Sequence, residues 1–194
     1  MLAPLRKPPL ARGLIHARIM AHALDGGVED DLLAKMLASR AVGIGALPPD
    51  LGLGPERFQS LLACRFPRLP WILDEGGPDP ARLPEREDLV ALMLRHAAAD
   101  GARRRAAAAD MAAVVAAACM GSDHLWEDLG LWSRADLSLL MRHCFPSLAA
   151  KNDRDMKWKK FLYKQLCLEE GIYVCRAPSC EVCRDYDLCF GRED

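Results

Sequence analysis

Four cysteines fall within fifteen residues near the end of this chain: Cys175, Cys180, Cys183 and Cys189, spaced C-x4-C-x2-C-x5-C. Thiolates so close in sequence can converge on one small inorganic centre. Pro178, Ser179 and Asp185 interrupt the same stretch, so it reads as a loop curled around a metal or cluster, not as a buried helix or strand. Whatever the rest of the chain does, its last 26 residues, 169–194, are set apart as a metal-binding segment.

The preceding sequence is helical in pattern. Apolar residues recur at helical spacing, and no run of alternating β-branched residues suggests a strand. The spacing predicts helices over about 13–24, 28–41, 55–65, 85–99, 103–120 and 155–168. Gly54-Pro55-Glu56 opens the third, because proline suits a first helical turn, and Phe66-Pro67 closes it, because a residue before proline is pushed out of the α region. In the last helix Trp158, Phe161, Leu162, Gln165 and Leu166 form one mainly apolar stripe. It should dock on the rest and hold the cysteine loop at the edge of the domain.

The fold class is therefore all-α: a helical bundle over 13–168, with a flexible stretch at 1–12 and the cysteine-rich loop behind it. The halves rhyme. Leu51-Gly52-Leu53 and Arg65-Phe66-Pro67 echo Leu129-Gly130-Leu131 and Cys144-Phe145-Pro146, and His22…Asp25-Gly26 echoes His96…Asp100-Gly101. The bundle is expected to duplicate a three-helix unit, with pseudo-repeats at about 14–73 and 85–150.

Composition narrows the function. Net charge is −1, which disfavours a nucleic-acid binder relying on bulk positive charge. The most apolar stretch, 106–120, is mostly alanine and carries Asp110, too short and weak to span a bilayer. The basic start MLAPLRKPPLARG has no apolar run of the secretory kind, so a cytoplasmic location is expected. In a reducing cytosol the clustered cysteines read as ligands, not as disulfides.

Spacing leaves two centres open. C-x4-C-x2-C matches a ferredoxin-like iron–sulfur spacing, although there the fourth cysteine lies far away. Structural zinc also takes four thiolates, usually as two separated C-x2-C pairs, and here one such pair exists. An iron–sulfur redox or electron-transfer protein and a zinc-stapled interaction module are both compatible with the spacing. Glu127-Asp128 pairs two carboxylates without an evident acid–base partner, and Gly43-x-Gly45 stands alone. No catalytic constellation is visible.

The block DMKWKKFLYKQLCLEEGIYVCRAPSCEVCRDYDLCFG (155–191) and the upstream HLWEDLGLWSRADL (124–137) resemble the nitrogen-fixation protein NifQ family, as does the segment ending near Asn152. All four cysteines follow its pattern. The resemblance implies a cytoplasmic iron–sulfur protein that carries molybdenum and passes it to the cofactor-assembly scaffold and the nitrogenase iron protein. On this basis Cys175, Cys180, Cys183 and Cys189 are expected to bind the cluster. Three would hold a three-iron, four-sulfide core, and the fourth would be free for molybdenum. Cys167, His124 and His143 are secondary ligand candidates. Lys157, Lys159, Lys160 and Lys164 form a candidate patch for a molybdenum oxyanion or for a partner.

Overall fold

The computed structural model describes residues 9–70, 83–98 and 101–169. Those residues form helices and turns, and among them there is no strand. The helices are α1 (Pro9–Met20), α2 (Val28–Ala41), α3 (Pro55–Arg65), α4 (Leu83–Arg95), α5 (Ala102–Cys119), α6 (Leu125–Asp128), α7 (Arg134–Cys144), α8 (Pro146–Lys151) and α9 (Trp158–Glu169).

Local chemistry accounts for the boundaries. Pro55 and Pro146 start α3 and α8, where a missing N–H costs nothing. Glu29, Asp30 and Asp31 fill the first turn of α2 and Arg40 its last, both matched to the helix dipole. The Ser133 hydroxyl accepts the Asp136 N–H at 3.1 Å and caps α7. The first helix begins at Pro9 and not at Gly13, again with proline in the opening turn. It gives way to single turns over 21–23, so it ends short of Leu24.

Helix α5 is the centre of the bundle. Ala112, Val114, Val115, Ala116, Ala118 and Cys119 are all buried, so its C-terminal half is covered on every side. Its alanines let neighbouring backbones come close. It packs on α4, α6 and α7; α1 packs on α2, α2 on α7, and α9 on α4. Phe58, Phe66, Leu89, Met93, Phe145, Phe161 and Leu162 belong to one continuous apolar core.

Two features recur in the halves. The Leu24 N–H donates to the Arg65 carbonyl at 3.1 Å, and the Ala98 N–H donates to the Cys144 carbonyl at 2.9 Å. Phe66 and Phe145, each just before a proline, adopt nearly the same backbone angles, φ −129°, ψ 64° and φ −132°, ψ 59°.

These contacts define one end of the bundle. The ends of α1, α3, α4, α7 and α9 gather there with the starts of α2 and α5. Arg95 at the end of α4 pairs with Glu169 at the end of α9, Arg103 pairs with Asp25, and His143 pairs with Glu29. Helix α9 thus finishes at this end.

Candidate metal centre

Cys175, Cys180, Cys183 and Cys189 lie outside the described residues. Among the described residues no group of three or more His, Cys, Asp or Glu side chains could hold a metal ion. The structure therefore bears on the candidate centre through its support, which is α9 and the charged end of the bundle.

Helix α9 is fastened along its length. Phe161 and Leu162 are buried in the core. The Lys159 ammonium donates to the Gly121 carbonyl at 2.8 Å and pairs with the Asp128 carboxylate. The Tyr163 hydroxyl donates to Glu85, and Glu169 pairs with Arg95. Before the helix, the Asn152 side-chain amide donates to the Met156 carbonyl and accepts the Met156 N–H, both at 2.9 Å. That closes the turn carrying Asp155 at φ 50°.

Asp128 is the least expected member of this set. Its residue is 3% exposed. Its carboxylate accepts from the Asp123 N–H at 3.1 Å as well as from Lys159, and its backbone carbonyl accepts the Ala46 N–H at 2.8 Å. Burial raises its pKa above the ordinary value, and the Lys159 charge and hydrogen bonds offset part of that rise. Glu127-Asp128 is thus no paired-carboxylate site. Glu127 accepts from the His124 N–H at 3.3 Å at the start of α6, while Asp128 turns inward to α9.

The secondary candidates are dispersed. His124 caps α6, just beyond the C-terminal end of α5. His143 lies at the other end of α5, where its carbonyl accepts from Arg104 at 3.3 Å and its Nε2 lies 3.3 Å from Glu29. The 18 residues of α5 put roughly 27 Å between those ends, so the two histidines cannot share one ion. Cys167 lies in the last turns of α9. Lys159 is committed to Asp128 and Gly121. Lys157 and Lys160 flank it, and Lys164 is exposed. The four lysines therefore do not form a single outward patch.

Sequence reasoning missed a charged cleft of about 510 Å³ at the cysteine-bearing end. Asp25, Glu29, Asp30, Arg65, Arg104 and His143 line it. Arg65 pairs with Glu29 and with Asp30, the latter at 3.3 Å. Behind it the Cys144 thiol is pushed up to about 12 by burial and by Glu29. Four helices, α2, α3, α5 and α7, build this layer, and no local pattern announces it.

The NifQ family profile matches residues 32–191. The NifQ protein of Azotobacter vinelandii is 42% identical over 176 residues, covering 83% of this chain and 87% of its own length. That of Klebsiella pneumoniae is 36% identical over 170 residues, covering 82% and 97%. That of Rhodobacter capsulatus is 37% identical over 161 residues, covering 82% and 86%. No solved structure matches the chain. With a profile that spans both the helical body and all four clustered cysteines, the chain belongs to the NifQ family.

Proposed function

We propose that this chain is a molybdenum carrier for nitrogen fixation: a protein without catalytic machinery that holds molybdenum on or beside a cysteine-ligated iron–sulfur cluster and hands it on for assembly of the nitrogenase cofactor. The observation that carries the reading is the family match over 32–191, which includes Cys175, Cys180, Cys183 and Cys189 in one short segment. Four thiolates are the donor set that iron–sulfur clusters and soft metals take.

The architecture supports a carrier in a second way. In sequence the ligand segment follows a docked helix, and the described core is built from residues between Ile19 and Tyr163, so cargo could be taken up and released without unpacking the bundle. Three of the cysteines would hold a three-iron, four-sulfide core, leaving the fourth thiolate for molybdenum. The receivers would be the cofactor-assembly scaffold and the nitrogenase iron protein, in the cytoplasm. Lys157, Lys160 and Lys164 would attract a molybdenum oxyanion or an acidic partner surface, while Lys159 is held by Asp128 and Gly121. As a mount for this segment, the body would be a duplicated three-helix unit. Its support is the recurring hydrogen bonds Leu24–Arg65 and Ala98–Cys144 and the matched turns at Phe66 and Phe145. A crystal structure in which α1–α3 and α4, α5, α7 run in unrelated directions would remove that part.

The test is metal and sulfide content, with electron paramagnetic resonance, on protein purified without oxygen from molybdate-supplied cells. Iron, sulfide and molybdenum together, lost on replacing the clustered cysteines by alanine, would support the carrier. Iron and sulfide without molybdenum would favour a redox protein. Zinc alone, persisting after anaerobic reconstitution, would leave an interaction module.

A further inference from the structure

We propose that the buried Asp128–Lys159 pair is a positioning lock that sets the register of α9, and through it the geometry of the cysteine-bearing segment. The proposal deepens the carrier reading and rests on it for the cluster, but the lock itself can be read without any metal. Asp128 and Lys159 stand 31 positions apart and join the segment HLWEDLGLW to the segment MKWKK.

The geometry is over-determined around both partners. The Lys159 side chain is 13% exposed and that of Asp128 4%. Two acceptors, the Gly121 carbonyl and the Asp128 carboxylate, hold the ammonium. Gly121 has no side chain because the Asp128 carboxyl carbon lies 2.4 Å from where its Cβ would be. Gly45, at φ 93°, leaves the same kind of room on the other side, with the Asp128 carbonyl 3.0 Å from its Cβ position. Asp128 is thereby fixed from three directions, and α9 can meet it in one axial register.

Apolar packing alone would not specify that register. The buried Phe161 and Leu162 tolerate sliding far better than a directional pair of opposite charges does, since a slipped helix would leave two buried charges unpaired. Along the same helix Tyr163–Glu85 and Glu169–Arg95 continue the alignment up to the residue before the cysteine-bearing segment. Lys159 is thereby reassigned: its donors face inward, so it positions the cargo segment and does not capture an oxyanion.

The experiment compares full-length wild type with Lys159→Met, Lys159→Arg and the double variant Asp128→Asn/Lys159→Met. The double variant removes both charges and leaves none stranded. Iron loss to a chelator after anaerobic reconstitution reads the cargo segment, thermal melting reads stability, and amide exchange of residues 158–169 reads the seating of α9. A positioning role predicts iron loss roughly five-fold faster in Lys159→Met, the change that about 1 kcal/mol produces, with recovery in Lys159→Arg. It also predicts that the double variant melts like wild type yet still loses iron quickly and exchanges faster along α9. Wild-type iron retention in the double variant would overturn the lock, leaving the pair a matter of stability alone. If wild type takes up no iron–sulfur cluster, the carrier reading fails by itself. Amide exchange then decides the lock, with unchanged exchange in the double variant overturning it.

Discussion

Lys35 on α2 reaches Asp136 on α7 at 2.7 Å, tying together two helices 101 positions apart. Asp136 also accepts from the Trp132 N–H at 3.2 Å and the Ser133 hydroxyl at 3.1 Å, while Lys35 also meets Asp31 at 2.9 Å. Burial acts against both charges. It is outweighed by their mutual hydrogen bond and attraction, so Asp136 titrates below its ordinary 3.8 and Lys35 above its ordinary 10.5. The signs follow from linkage. The carboxylate stabilises the fold fully above pH 3.8 and less as pH falls through its lowered value. The ammonium stabilises fully below pH 10.5 and less as pH rises through its raised value. Lys35→Met should cost about 2 kcal/mol at neutral pH, the scale of a charge-assisted hydrogen bond. It should also flatten the loss of stability below pH 3.8. Denaturant melts at neutral pH and below pH 3.8 check both; an unchanged acid slope in the variant would contradict the pairing.

The legible parts of this fold were those written in local chemistry. Pro55 and Phe66-Pro67 mark helix limits from sequence alone, because proline acts on its own residue and its neighbour. The start of α2 at Val28 was equally plain after Asp25-Gly26-Gly27. The apolar stripe of α9 correctly gave its buried side at Phe161 and Leu162. What stayed hidden depends on distant partners. Asp128 reads as a surface carboxylate until α9 brings Lys159 to it. The cleft around Arg65 and Glu29 needs four helices in place before it exists. Helices α6 and α8 have 4 and 6 residues, too few to show a period. The cysteine signature was the clearest functional signal in the sequence, and it falls outside the described residues.

Glycine substitutions separate space from backbone freedom. At Gly121 an alanine methyl would sit 2.4 Å from the Asp128 carboxyl carbon. Gly121→Ala should therefore destabilise by about 1–3 kcal/mol through overpacking against the carboxylate that Lys159 meets. Gly13, within α1, has nothing within 4 Å of its Cβ position and no positive φ. Gly13→Ala should instead stabilise by about 0.5–1 kcal/mol, by restricting the unfolded chain and favouring helix. Opposite shifts in melting temperature are the expected pair of results, and a neutral Gly121→Ala would mean that loop 121–128 yields readily.

Thiol chemistry offers a direct reading of the body. Cys64 is exposed, whereas Cys119 and Cys144 are buried. Burial first, and Glu29 second, push the Cys144 thiol up to about 12, so at pH 8 almost none of it is thiolate. Native protein treated with an alkylating agent at pH 8 should be modified at Cys64 and spared at Cys119 and Cys144 until it unfolds. Mass spectrometry of the labelled peptides checks this, and rapid native labelling of Cys144 would contradict the packing behind the charged cleft.

Metal removal should act locally. The described core is built from residues between Ile19 and Tyr163, and no described group within it can hold a metal ion. A body with so large an apolar core should differ from a zinc finger, whose fold is created by its ion. Linkage nevertheless runs both ways: if a seated α9 tightens cluster binding by some factor, the cluster must favour the seating of α9 by the same factor. A roughly five-fold effect is worth about 1 kcal/mol, which for a chain of this size moves the melting temperature by about 2–4 °C. Chelation should therefore leave the far-ultraviolet helical signal intact and lower the melting temperature by no more than about 4 °C. Amide exchange along 158–169 should meanwhile speed up about as much as it does when the Asp128–Lys159 pair is removed. A collapse of helical signal on chelation would place the metal inside the folding unit. Exchange unchanged along α9 would uncouple the helix from the cargo that follows it.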